Sequence, residues 1–250
     1  MIKSKFFLKF DSSPVLTAAA RLRDLTLPEP PQTLVFCPQE ALLRHARKRW
    51  RGRRVAGFFG ETYLLAKTKN WVAVAGRFGV GAPVVGVLLE EFVAWGVKQF
   101  VWLGVAGGLQ PALQSGDLVL VETAVRDEGT SHHYLPPDQP AAASPKLSEI
   151  VETAVCQANL PLKKGVTWTT DAPYRETAVA VAQYQAQGVQ TVEMETAALF
   201  AVAHYCQTEA AALLAVSDLL VGGVWRPAST PKLAESHLKQ ALDAIVQGII

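Results

Sequence analysis

Hydrophobic positions in this chain fall into short apolar runs separated by longer segments with helical spacing. Residues 33–36, 55–59, 63–67, 71–75, 99–103, 118–122, 164–169 and 210–216 read as strands. The run at 210–216 lacks the alternation of a half-exposed strand and suits a sheet covered on both faces. Residues 40–49, 84–95, 146–158 and 231–249 read as helices, with Gly96 placed where a helix stop is expected. The alternation predicts a three-layer α/β/α fold around a central mixed, twisted sheet.

The stretch 188–223 carries the densest chemistry. A β-like run at 189–192 delivers Glu193, Met194 and Glu195, and the helix that starts at Thr196 is apolar on every side over 197–202. A helix without a polar face belongs in a core, so the carboxylates at its entrance lie near the interior. The run 210–216 stops at Ser217 and Asp218, and ligands of such sheets collect beyond the carboxyl ends of the strands. Taken singly, the glutamates suit a helix N-terminus and Asp218 suits a cap. Together they place several carboxylates in one low-dielectric pocket, where they need partners. A sugar with vicinal hydroxyls supplies such donors.

The residues VEMETAALFAVA followed by AVSD resemble the signature of the nucleoside phosphorylase superfamily, which includes uridine phosphorylases, purine nucleoside phosphorylases and adenosylhomocysteine-type nucleosidases. The likeness runs from about Leu34 to the last helix. It implies that Glu195 holds the ribose hydroxyls, with Met194 packed on the sugar and Glu193 beside them. It also implies that Asp218, next to Ser217, protonates or hydrogen-bonds the leaving base. The loop TDAPYR matches one that lines the base pocket in relatives, which brings Pro173, Tyr174 and Arg175 to the base; pairing of Arg175 with Asp171 or Glu176 is the alternative. The loop GRFGVGAP at 76–83 is similar to a glycine run of uridine phosphorylases, and Gly79 and Gly81 permit close backbone approach to a ligand. VRDEGTSHHYLP at 125–136 also resembles the uridine branch. His132 and His133 are read there as structural or interface residues, because no third ligand stands at metal spacing.

Breaking an N-glycosidic bond builds positive charge on the sugar, which nearby carboxylates stabilise, and the departing base calls for an acid such as Asp218. At the nucleophile the chain departs from the phosphorylase pattern. The family's Gly-Asp-Pro-x-Arg loop is replaced by Cys37-Pro38-Gln39-Glu40-Ala41. Beside Gly104, Trp102 stands where an arginine is expected and Val105 where a hydroxyl residue is expected. A phosphate dianion needs cations and donors. Arg53 matches an arginine that relatives lend to a neighbouring subunit's phosphate, and Arg77 lies in a loop that can supply a charge. Glu40 aligns with the acid that activates water in the nucleosidases. The expectation is therefore nucleoside cleavage with release of free base, with water slightly preferred to phosphate. The alternatives are phosphorolysis to ribose 1-phosphate and, in another class, a nucleoside-binding protein that has lost catalysis. Purine or pyrimidine stays open.

Composition narrows the remaining classes. The 250 residues are half hydrophobic and 18% charged, as expected for one globular α/β domain over 1–250, with 1–32 an irregular arm bearing a helix near 16–25. A net charge of +2 is too small to argue for nucleic acid, and the basic run 44–54 reads as a solvated helix end. Cys37, Cys156 and Cys206 lack metal spacing and suit a reduced intracellular setting. The opening MIKSKFFLKF is too short and lysine-interrupted for a signal peptide, and no charge-free stretch reaches membrane-spanning length. The expectation is a cytoplasmic protein without membrane or nucleic-acid partners, binding a small nucleoside. No metal and no cofactor is expected, with phosphate possible as co-substrate. The resemblance implies a homo-oligomer, either a dimer or a hexamer built as a trimer of dimers.

Overall fold

A computed structural model describes residues 13–228 and 230–250. The signal-peptide reading of the first ten residues lies outside the described residues. In chain order the elements are α1 (Ala18–Leu22), β1 (Thr33–Phe36), α2 (Glu40–Arg49), β2 (Gly52–Val55), β3 (Glu61–Leu65), β4 (Val72–Gly76), α3 (Ala82–Trp95), β5 (Gln99–Gly108) and β6 (Leu118–Asp127). They continue with β7 (Ala141–Ala142), α4 (Pro145–Gln157), β8 (Leu162–Thr170), α5 (Ala178–Ala186), β9 (Thr191–Glu193), α6 (Thr196–Tyr205), β10 (Glu209–Val221), β11 (Val224–Pro227) and α7 (Pro231–Ile249).

One mixed sheet runs in the order β11-β10-β6-β8-β9-β5-β1-β4-β3-β2, with β7 on β6. The additional pairing of β10 with β5 closes β5, β9, β8, β6 and β10 into a ring. Apolar runs feed both faces by the two-residue period of a strand. Along β10, Ala210, Ala212 and Leu214 join the core under α3 and α6, whereas Ala211, Leu213 and Ala215 join the core under α2, α4 and α7. Each fully buried Leu or Phe of these cores contributes about 1.5–3 kcal/mol. The expected helix–sheet–helix layering is what the chain adopts.

The parallel strands β4, β1, β5 and β10 share one direction, so Gly76, Cys37, Gly104–Gly108 and Asp218 emerge at a single edge. Two expected boundaries are corrected. The strand expected over 55–59 is Gly52–Val55 instead, because Gly57 (φ 108) and Gly60 (φ 81) turn the chain in the left-handed region. The strand expected over 99–103 runs on to Gly108, where its glycines admit β9 and β10 on either side. Helix α5, capped by Thr177 accepting from the Ala180 N–H at 3.2 Å, and strand β11 are additions to the expected set. Among the described residues no helix is long and apolar enough to cross a membrane.

Candidate active site

Glu193 ends β9, and Glu195 stands at the N-cap of α6. Glu193 is buried, and protein donors occupy both of its oxygens. Oε2 accepts from the Glu195 N–H (2.8 Å), the Thr196 N–H (2.8 Å) and the Thr196 hydroxyl (2.7 Å). Oε1 accepts from the Thr169 hydroxyl (2.5 Å) on β8, whose oxygen in turn takes the Ala197 N–H (3.0 Å). Glu193 thus pins the helix entrance to the sheet, and each of its oxygens already has a protein donor.

Glu195 is 8% exposed, and its Oε1 accepts from the Gly81 N–H at 2.6 Å. Gly81 is the N-cap of α3, so the carboxylate bridges the starts of two helices, where dipoles favour negative charge. Burial and the neighbouring Glu193 outweigh this help, and the Glu195 pKa is pushed up to about 7. Met194, between the two glutamates, is partly exposed.

On β10 the register slips between Val216 and Asp218, so Ser217 is the extra residue of a bulge. Bulges re-aim the side chain that follows. The Ser217 hydroxyl donates to Asp218 Oδ1, and the Trp225 indole N–H donates to Asp218 Oδ2 at 2.8 Å. Asp218, Gly107, Val192, Leu220, Trp225, Pro173, Tyr174 and Glu176 line a cavity of about 640 Å³, ample for a nucleoside. Gly107 pairs with both Asp218 and Val192, so Asp218 and the end of β9 stand two strand spacings apart, and Glu195 follows three residues later. A Cβ at Gly107 would lie 2.6 Å from Leu220 Cδ1 and 3.6 Å from Asp218 Oδ2, so a side chain there would fill the cavity floor.

Sequence reasoning missed Glu176, Trp225 and Gly107 as lining residues. For Trp225 the signal was present. Gly222 and Gly223, at φ 67 and 71, form a two-residue hairpin turn that folds Trp225 back opposite Leu220. Arg175 is exposed and forms no ion pair with Asp171 or Glu176, and it is not among the residues that line this cavity. Ser217 acts on the cavity through Asp218.

At the other end of the edge, Arg77 adopts φ 55, and its guanidinium binds Glu40 at 2.6 Å and Glu61 at 3.1 Å. Glu40 also pairs with Arg44 at 3.1 Å, and its side chain is 53% exposed. Arg77 therefore holds the Glu40 carboxyl below its usual range. The lowered proton affinity counts against the reading of Glu40 as a base for water. Arg77, expected to supply a charge, is an exposed arginine already paired with two carboxylates. The adjoining loop carries Gly79 and Gly81 at φ 89 and 99, with nothing within 4 Å of a Cβ built at Gly79.

Behind this loop, Trp102 is buried against Phe36 (ring centroids 5.6 Å apart) and Phe78 (6.1 Å), and its indole closes over Gly104. Val105 faces the opposite core. Arg53 is exposed on the sheet's edge strand, two strands beyond β4, and lies outside this chain's own cavity. His132 packs on Arg126, whose guanidinium also reaches the Leu135, Pro136 and Gln139 carbonyls. The 125–136 segment is thus the end of β6 and a following loop ordered around the partly buried Arg126.

Comparison with known proteins agrees with this geometry. A family model described as "Phosphorylase superfamily" matches residues 34–250. The chain is 29% identical to a uridine phosphorylase of Haemophilus influenzae over 60% of this chain and 69% of that protein. It is 27% identical to a guanosine phosphorylase of Halorubrum lacusprofundi, over 76% and 84%. It is also 31% identical to a DeoD-type purine nucleoside phosphorylase of Caldanaerobacter subterraneus, over 68% and 72%. A match that spans the site edge from β1 to α7, on a fold with buried carboxylates at the starts of its helices, assigns this chain to the phosphorylase superfamily.

Proposed function

We propose that the protein cleaves the N-glycosidic bond of a nucleoside by phosphorolysis, releasing the free base and ribose 1-phosphate. Glu195 takes the ribose hydroxyls on the oxygen that Gly81 leaves available, and Met194 covers the sugar. Asp218 faces the base. As a phosphate oxygen bonds to the anomeric carbon, the bond to the base nitrogen breaks and its electron pair leaves with the base, which is held by hydrogen bonds at the Asp218 end of the cavity and takes a proton from water. Positive charge on the sugar is met by Glu195, which ionises more readily as that charge grows. Glu193 positions Glu195 and does not touch substrate.

The single observation that carries phosphate over water is the state of Glu40. A carboxylate tied to Arg77 and Arg44, with its proton affinity lowered, is a weak base for water. The names of the relatives point the same way. Phosphate is placed over the Gly79–Gly81 loop, with Arg77 exchanging part of its pairing with Glu40 for the dianion. Hydrolysis is the second reading, favoured by Trp102, which fills with aromatic carbon a place where the family resemblance expects a cation. A homo-oligomer that brings Arg53 to a neighbouring subunit fits phosphorolysis as well.

The test is purified protein with uridine, inosine, guanosine and adenosine, with and without phosphate. Phosphate-dependent ribose 1-phosphate is the expected result; free ribose at equal rates in both buffers would transfer the assignment to hydrolysis. Binding without either product would leave a nucleoside-binding protein.

A further inference from the structure

Glu176 lies just past the turn formed by Pro173–Arg175 and lines the same cavity as Asp218. The two carboxyl groups are treated differently by their surroundings. Asp218 receives a donor on each oxygen, from Ser217 and from Trp225. Among the described residues no side chain or backbone group donates to Glu176. The ionisable groups near it are Asp218 on β10 and Tyr174 on its own turn, which line the same cavity, and its exposed chain neighbour Arg175, which does not pair with it. Burial and the Asp218 charge push the Glu176 pKa up to about 7. Two carboxylates bordering one partly desolvated cavity cannot both ionise cheaply, and the group without donors is the one that keeps the proton.

We infer that Glu176 reads the base as a neutral carboxyl group, its O–H donating to a ring or carbonyl acceptor of the base while Asp218 accepts from a neighbouring N–H. The pair matches a nucleobase edge that presents an acceptor beside a donor. Reading by this pair fails when Glu176 ionises, because the donor is lost and a second negative charge then faces the base acceptors. Glu176 is a specificity-determining residue of the cavity, and the inference rests on the nucleoside reading above.

KM and kcat are measured from about pH 5.5 to 9 on whichever of uridine, inosine, guanosine and adenosine is cleaved fastest. In the wild type KM rises by about ten-fold or more between pH 7 and 9, because only the protonated fraction is competent. Glu176→Gln keeps a donor in the shape of the neutral acid, so its KM rises less between pH 7 and 9 than that of the wild type, retaining only the change that Glu195 contributes. Glu176→Ala raises KM at every pH, and the urea midpoint of each variant reports that it is folded. A wild-type KM independent of pH, or a Gln variant as impaired as the Ala variant, overturns the role of Glu176 while leaving nucleoside cleavage intact. Failure to cleave any of the four nucleosides overturns the functional reading beneath it.

Discussion

Two pairs of carboxylates border the same edge of the sheet, and their surroundings give them opposite characters. Glu193 and Glu195 are buried at the start of α6, fed by backbone and threonine donors, and Glu195 holds its proton to about pH 7. Glu40 and Glu61 lie against the Arg77 guanidinium, and their carboxyls are held below the usual range by hydrogen bonds and by nearby arginine charge. Identical side chains thus differ by whether water or protein solvates them. The buried pair is costly to charge, whereas exposed Glu40 and partly buried Glu61 are already paired with Arg77 beside the Gly79–Gly81 loop.

The largest effect that can break this comparison is at Glu195. Glu195→Gln is expected to lower kcat/KM by about 10²–10³, because a preorganised charge facing the sugar is lost. An effect below ten-fold would move the sugar elsewhere.

The same site governs a pH dependence of stability. The folded-state pKa of Glu195 is raised, so the native state binds more protons than the unfolded chain between about pH 4.5 and 7. Stability therefore falls as pH rises through that window and levels off above it. Glu195→Gln removes its share of the decline, of order 1–3 kcal/mol, measurable as a higher urea midpoint for the variant at pH 8. An unchanged slope would show that Glu195 is solvated.

Thr169→Val removes one donor from Glu193 and is expected to destabilise by about 1–3 kcal/mol, read from the urea midpoint. The smallest effect belongs to exposed Glu40. Glu40→Gln at saturating phosphate should change kcat/KM by less than about three-fold, as surface ion pairs contribute little. A loss of two orders of magnitude would restore Glu40 as a base for water.

Much of the layering was legible because both faces of the sheet are covered: continuous apolar runs such as 210–216 admit few other arrangements. Glu195 and Asp218 were legible because each interrupts an apolar run. Glu176 was not, since its meaning depends on β10 meeting the turn after β8, and no local pattern encodes that. The fate of Glu40 was also hidden. Its position at the start of α2 was read correctly, but its pairing with Arg77 arises from a non-glycine residue at positive φ, which residue type does not announce. The hairpin that brings Trp225 to Asp218 was announced by Gly222-Gly223 and passed over.

The most direct measurement is a crystal structure of the protein soaked with a slowly cleaved nucleoside and phosphate. The account predicts the ribose hydroxyls within hydrogen-bond distance of the Glu195 carboxylate, the base lying between Asp218, Glu176 and Trp225, and phosphate over the Gly79–Gly81 loop. A nucleoside bound away from these carboxylates, with Glu195 still engaged by Gly81 alone, would contradict it.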